Sequence, residues 1–357
     1  MEYIVKAMHA YLINFLTQTA TASSLLFIPI FAKEVGASDI EVGLISSAYS
    51  FATFLASNFF GRLADFHDRK KIILVGLLLS AIFFLAQVLV ETPQQLLIVR
   101  TLLGFSLGIF PAALTSWVYE KSGNIGRFSA FGSLGWAIGQ LLAGIIMIYW
   151  GIFVLGSIFV FLAFLIAIRE NINGSTLKKA KSPLRLVKDN LSVYFSFFLR
   201  HTGAGAVWLV FPIYLSELGI SKFWIGVIYF TNSFLQFLIM PKVERFNPKF
   251  LMNIGTIFSA VTFYLYSVAT HVVEFLFVQL IIAVSWSAMY IGALRLVLDK
   301  NLEKNSVTGF LNSTINLSTI LGSLVGGLIA EMFGYKACFY FGTIFSLLAM
   351  LIRVKSK

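Results

Sequence analysis

Twelve runs of about 20 predominantly apolar residues follow one another along this chain with only short polar breaks, and a run of that length is what an α-helix needs to cross the hydrocarbon core of a bilayer. They fall at 8–32, 41–60, 71–90, 95–119, 129–149, 151–168, 192–216, 223–243, 250–270, 273–297, 307–330 and 336–353. In lipid each backbone N–H and C=O must find its partner inside the protein, so runs of this length read as helices, joined as hairpins by the short connections. Charged residues make up 12% of the chain, against about a quarter in soluble domains. The expected fold is an all-α integral membrane protein with twelve transmembrane helices. Met1 to Lys6 lead straight into the first run without a small-residue cleavage site, which reads as a retained helix rather than a signal peptide. A single cysteine, Cys338, excludes an intramolecular disulfide framework.

The formal net charge of +11 could suit nucleic acid, but its distribution points to a membrane. With the N-terminus in the cytoplasm, Lys33, Lys222 and Lys336 lie outside and Arg100, Arg200 and Arg295 lie within helices. The rest of the 27 Lys and Arg fall on cytoplasmic loops and ends. That asymmetry is the positive-inside pattern. It implies a multi-pass cell-membrane protein with both termini cytoplasmic, and it removes nucleic acid as a partner. The longest basic connection, 169–190, carries Lys178, Lys179, Lys181, Arg185 and Lys188. It separates a six-helix bundle at 1–168 from a second at 191–357.

These two halves repeat each other. Pro29, Glu34, Gly36, Ser38, Gly43, Ser50 and Phe54 match Pro212, Glu217, Gly219, Ser221, Gly226, Ser233 and Phe237, always 183 positions apart. The same offset pairs Gly126, Gly139, Gly144 and Gly151 with Gly309, Gly322, Gly327 and Gly334. Between these blocks the offset is 179, pairing Asp65, Lys70 and Gly76 with Glu244, Lys249 and Gly255. Parallel six-helix repeats are an architecture of secondary transporters, with the solute site near the midplane between them.

The loop between the second and third runs reads Gly61-Arg62-Leu63-Ala64-Asp65-Phe66-His67-Asp68-Arg69-Lys70-Lys71. It resembles the signature loop of the major facilitator superfamily, departing from it where Asp68 stands in place of the usual second glycine. The resemblance covers nearly the whole chain. It implies that this loop latches the cytoplasmic ends of the halves together when the transporter faces outward. Gly61 would allow close helix approach, Asp65 would cap a neighbouring helix N-terminus, and Arg69 would pair with acids, with Glu120 placed by topology to join Asp65 and Arg69. The alternative is a solvated charged loop that only obeys the positive-inside rule.

Arg100-x-x-x-Gly104-x-x-x-Gly108 resembles a second motif of the same family, whose arginine is tied to proton coupling or to structure. The Gly-Pro pair of the antiporter fifth helix is absent, Gln140 following Gly139. The run through Gly126, Gly132 and Gly135 is more similar to that helix in some sugar–proton symporters. Small residues there let helices approach closely, and packing alone would explain them.

Polar stripes at helical spacing mark candidate cavity faces. The first helix carries Asn14, Thr17, Gln18, Thr21 and Ser24, and its repeat mate carries Arg200, His201 and Trp208. The tenth run adds Gln279, Trp286 and Tyr290. Ser129, Ser133, Trp136 and Gln140 are matched by Asn312, Asn316, Thr319 and Ser323. A mid-bilayer arginine costs about 2.5–3.5 kcal/mol on insertion scales, so Arg200 either binds an anionic or hydroxyl-rich solute, bonds carbonyls, or snorkels to the interface. His201 is the one plausible mid-membrane titrating group, since the 16 carboxylates fall in loops or near helix ends.

The functional expectation is secondary active transport of a small organic solute by alternating access. Proton coupling is implied by the family, and export is slightly favoured by the signature loop and short chain. Uptake of a polar or anionic nutrient by a symporter or facilitator is the second reading, and a non-transporting membrane sensor a remote third. No cofactor, metal cluster or nucleophile–base pair is indicated. No phosphate-binding loop of the Gly-x-x-x-x-Gly-Lys type occurs, which argues against an ATP-driven pump, and the chain is expected to act as a monomer in the bilayer.

Overall fold

The computed structural model describes residues 2–37, 39–122, 124–146, 148–172 and 181–352. Ser38 of the repeat and Lys178 and Lys179 of the basic linker lie outside these. The described chain is helical throughout: α1 (Glu2–Glu34), α2 (Asp39–Phe66), α3 (Arg69–Ala86), α4 (Pro93–Ile109), α5 (Pro111–Ser122), α6 (Ile125–Ile146), α7 (Tyr149–Arg169), α8 (Pro183–Asp189), α9 (Leu191–Glu217), α10 (Lys222–Val243), α11 (Pro248–Val268), α12 (Val272–Lys300), α13 (Lys304–Phe333) and α14 (Tyr335–Leu351). Among the described residues, eight helices meet the length and apolarity needed to span a membrane.

Two details depart from the apolar runs. The fourth run, 95–119, is divided into α4 and α5 at Phe110-Pro111, because proline supplies no N–H to the preceding turn and its ring clashes with it. The linker is not wholly irregular: the Ser182 hydroxyl accepts from Arg185 N–H at 3.4 Å and caps the short α8, which Pro183 opens.

The chain forms two compact units, Met1–Lys181 with Asn301–Ser313, and Ser182–Lys300 with Thr314–Lys357. Helix α13 contributes its first turns to the first unit and the remainder to the second.

The repeat is written into the contacts of each unit. Gly36 and Gly219, with φ of 93° and 76°, end α1 and α9. Ala37 N–H reaches Ala32 O at 2.9 Å and Ile220 N–H reaches Leu215 O at 3.1 Å, a left-handed helix stop that glycine adopts without a Cβ penalty. Asp68 caps α3 by accepting from Lys70 and Lys71 N–H at 3.0 and 3.4 Å. Its counterpart Asn247 caps α11 by accepting from Lys249 and Phe250 N–H at 2.9 and 3.3 Å. Asp68, the departure from the family loop, thus does the work of an N-cap with φ at −58°, where no glycine is required.

Helix crossings repeat too. A Cβ on Gly139 would lie 2.4 Å from Thr19 O, and one on Gly322 would lie 2.3 Å from Thr202 O. Both pairs are related by the 183 offset, so α1 against α6 and α9 against α13 use the same glycine contact. At the 179 offset, Ser80 donates to Ser106 at 3.0 Å, and Ser259 and Ser285 share a bond of 2.6 Å.

Candidate functional site

In the first unit the signature loop is tied to the start of α13. Asp65 is buried, and its Oδ1 accepts from the Asn305 N–H at 3.2 Å and side-chain amide at 2.8 Å. Its Oδ2 accepts from Ser306 N–H at 3.1 Å and from the Ser306 hydroxyl. A carboxylate on the free N–H groups of a helix's first turn meets both an unsatisfied donor set and the positive end of the dipole. Gly61 lets the two helices meet: a Cβ there would sit 2.9 Å from Asn305 O and 3.1 Å from Gly309 Cα. Asp65 lies past the apolar run 41–60. Burial pushes its carboxyl above the ordinary aspartate range, while the bonds from Ser306 and Asn305 pull it down.

Arg69 and Glu120 form a two-pronged ion pair, Nη1 to Oε2 at 2.9 Å and Nη2 to Oε1 at 3.2 Å. Sequence topology puts Glu120 with both Asp65 and Arg69. The structure gives it to Arg69, and Asp65's bonds go to α13. In the repeat copy an arginine from α12 takes over: Arg295 Nη1 donates to the carbonyls of Glu244 and Phe246, the latter at 2.9 Å.

Arg100 is buried in the first unit. Its Nη1 donates to Ser24 Oγ at 3.3 Å and Gln87 Oε1 at 3.4 Å, and its guanidinium lies 4.3 Å over the Tyr49 ring. No carboxylate among the described residues pairs with it, and Nε has no partner there. Gly104 and Gly108 press α4 on α2, since Cβ atoms would fall 2.4 Å from Tyr49 O and 2.7 Å from Thr53 O. In the second unit the equivalent of Arg100 is Gln279, whose amide donates to the Tyr266 hydroxyl at 3.0 Å. Tyr266 is the equivalent of Gln87.

The α1 stripe divides by partner. Asn14 donates to Phe128 O at 2.8 Å and Gln18 Oε1 accepts from Trp136 Nε1 at 2.7 Å, fastening α1 to α6. Thr17 and Thr21 return their hydroxyls to Ile13 O and Thr17 O, both at 2.9 Å. Thr319 likewise bonds Ile315 O on its own helix.

Arg200, among the largest fully buried side chains, centres a cluster in the second unit. Its Nε donates to Ser259 Oγ at 2.7 Å and Nη1 lies 3.5 Å from His201 Nδ1. The guanidinium is 5.5 Å from the Phe263 and Trp286 rings. His201 stands 5.3 Å from Trp286, which stacks on Tyr290 at 5.5 Å. Among the described residues a serine hydroxyl and ring faces hold Arg200, and no carbonyl or carboxylate bonds to it. Trp208 sits in another aromatic group, with Phe211, Tyr229 and Tyr266 at 5.7, 5.8 and 6.3 Å. Gln279 belongs with Tyr266 as well, and its buried Oε1 is unpartnered. So the candidate cavity residues of the second half centre on two sets of rings, joined through Phe263, which packs in one core with Tyr266 and Trp208.

Sequence reasoning did not reach Asn305 and Ser306, the receivers of Asp65, or the Ser259–Ser285 pair beside Arg200. The serines carried a signal, since Ser80 and Ser106 precede them by 179. Asn305 and Ser306 carried only their place at a helix start.

The sequence profile of the Major Facilitator Superfamily matches residues 10–190 and 193–356. A multidrug resistance protein, MdtG of Salmonella typhi, is 26% identical over 91% of this chain and 88% of its own. The crystal structure of the human organic anion transporter MFSD10 (TETRAN) superposes with a TM-score of 0.84 at 16% identity, covering 99% of both chains. That of the E. coli fucose:proton symporter FucP gives 0.78 at 17%, covering 99% and 98%. Family and neighbours point to a transporter and not an enzyme, and to the twelve-helix, two-domain membrane architecture. With its paired repeats, its signature loop and a family match over nearly its whole length, this chain belongs to the Major Facilitator Superfamily.

Proposed function

We propose that this protein is a monomeric secondary transporter of the cell membrane, with cytoplasmic termini, that exports small organic solutes by alternating access. The observation that carries a solute role is Arg200. It is a buried guanidinium with no carboxylate partner among the described residues, beside His201, Trp286 and Tyr290. A fixed positive charge facing aromatic rings suits a planar solute with a carboxylate or another acceptor group. Full-length similarity to MdtG, named for multidrug resistance, supports export. His201 is the group we assign to proton coupling, because its imidazole lies 3.5 Å from Arg200 Nη1, where a proton gained or lost would act directly on the guanidinium. The Asp65 and Arg69–Glu120 contacts are the gate in this reading, with Gly61 giving the close approach. Arg100 is the corresponding charge of the first unit, held by Ser24 and Gln87.

Uptake of a polar or anionic nutrient is the second reading. It is favoured by Gln18 and Asn14 on α1, amides suited to hydroxyl-rich solutes. One experiment separates the two: thermal stabilisation of the detergent-purified protein by organic anions, neutral sugars and lipophilic cations, since a ligand of the folded state raises its stability by mass action. Stabilisation by aromatic anions, lost in Arg200→Ala, supports the proposal. Stabilisation by sugars supports uptake, and by lipophilic cations alone makes Arg200 structural.

A further inference from the structure

At the end of the first unit opposite Asp65, where α1 stops and α7 begins, lies a cavity of about 460 Å³. Its walls include Phe31, Tyr149, Trp150 and Phe153, with Glu34 at its edge and Gln87 in its wall. Phe31 lies 5.0 Å from the Tyr149 ring and 5.4 Å from Phe153, the latter edge-on. The Tyr149 hydroxyl donates to Glu34 Oε1 at 2.5 Å, which fixes the carboxylate beside the ring faces. No Lys, Arg or His among the described residues pairs with Glu34. Phe153 and Gln87 are buried, whereas Trp150 is 62% exposed. So one side of the cavity is closed by buried side chains and one opens outward.

A carboxylate without a basic partner, set against several aromatic faces, attracts a cation twice, by charge and by the ring quadrupoles. Glu34 is itself exposed, so a cation reaches it directly from water. A strongly hydrated metal ion needs more oxygen ligands than this wall supplies. An ammonium clothed in carbon instead matches apolar walls and one negative edge. The volume falls in the ordinary range for small-molecule pockets.

We propose that this pocket binds an organic ammonium group, held by the Glu34 carboxylate and the faces of Phe31, Tyr149 and Trp150. The proposal does not rest on the transport reading, because the pocket shares no residue with the Arg200 cluster. The ammonium comes either from a soluble amine or from the headgroup of a phospholipid at the membrane surface.

The test is calorimetric titration of the purified full chain with benzyltrimethylammonium, and with its uncharged carbon isostere neopentylbenzene. Wild type binds the cation and not the isostere. Glu34→Gln weakens binding about tenfold or more, and Trp150→Ala several-fold. Trp150 is exposed, so that variant keeps the test sound even where Glu34→Gln folds poorly. Titration in phosphatidylglycerol nanodiscs, with and without phosphatidylethanolamine, identifies the source. Weaker cation binding with the amine lipid present makes the headgroup the occupant, and equal binding makes it the soluble amine. Equal affinity in wild type and both pocket variants, or equal binding of the isostere, overturns the proposal.

Discussion

Ser259 and Ser285 share a 2.6 Å hydrogen bond where α11 meets α12, the counterpart of the 3.0 Å bond between Ser80 and Ser106 where α3 meets α4. The second pair alone supports an arginine, since Arg200 Nε donates to Ser259, whereas its repeat position on α1 is Thr17, which bonds its own helix. Ser259→Ala therefore leaves a buried guanidinium N–H without an acceptor, costing about 1.5–3 kcal/mol, against about 1 kcal/mol for the neutral bond lost in Ser80→Ala. Thermal unfolding in detergent is expected to fall further for Ser259→Ala. Equal losses would mean that Arg200 does not depend on this hydroxyl.

Reversing the charge at Asp65 places a cation against the positive end of α13 and removes the four hydrogen bonds that Asp65 accepts. Asp65→Lys is expected to insert and fold but to transport far more slowly in proteoliposomes. Flux at the wild-type level in that variant would end the gating role.

Acidity tests the same contact. The folded-state pKa of Asp65 is raised, so between its unfolded and folded values the native state binds more protons than the unfolded one. Stability from this group is then fully present below the unfolded pKa and is lost as pH rises through the folded one. Comparing wild type with Asp65→Asn, the difference in melting temperature should shift in favour of wild type on acidification through that window. A pH-independent difference would place the carboxyl at its ordinary value.

The helices were legible because lipid imposes one rule on every span: apart from the fourth, which became two, each apolar run became one helix, the terminal turns extending into polar sequence. Pro111 was visible as a residue, but an apolar run gives no sign of whether a proline bends a helix or divides it. Asp68 read as a departure from the family loop, and only the cap bonds to Lys70 and Lys71 explain it. At the candidate site, Arg69 and Glu120 were legible because opposite charges at adjacent helix ends have few partners. Side-chain direction was not. Periodicity puts Thr17 and Gln18 on one face, yet one turns back on its own helix and the other reaches Trp136. Gln279 and Trp286 share a helix but join different aromatic groups.

Glycines separate packing from tolerance. A Cβ at Gly135 would sit 2.5 Å from Phe15 O, while one at Gly144 meets nothing within 4 Å. Gly135→Ala forces α1 and α6 apart and should cost about 1–3 kcal/mol. Gly144→Ala should be neutral or stabilising by up to about 1 kcal/mol, from helix propensity alone. Melting temperatures of the two variants should move in opposite directions, or only the first should move. A comparable loss in both would show that this helix crossing is not tight.

Arg69 is 3% exposed and Glu120 24%, so their pair lies between a solvated ion pair and a buried one. Removing one partner from a buried pair costs about 3–5 kcal/mol because the other charge is stranded, and the partial exposure of Glu120 lowers that figure. Glu120→Gln strands the more buried member, and is expected to destabilise more than Arg69→Gln, which leaves a carboxylate that water can reach. In the double variant neither charge is stranded, so the two losses should not add. The coupling, read from denaturation of all four proteins, should lie at about 1–3 kcal/mol. Additive losses would show that the 2.9 and 3.2 Å contacts contribute nothing beyond each residue's own packing.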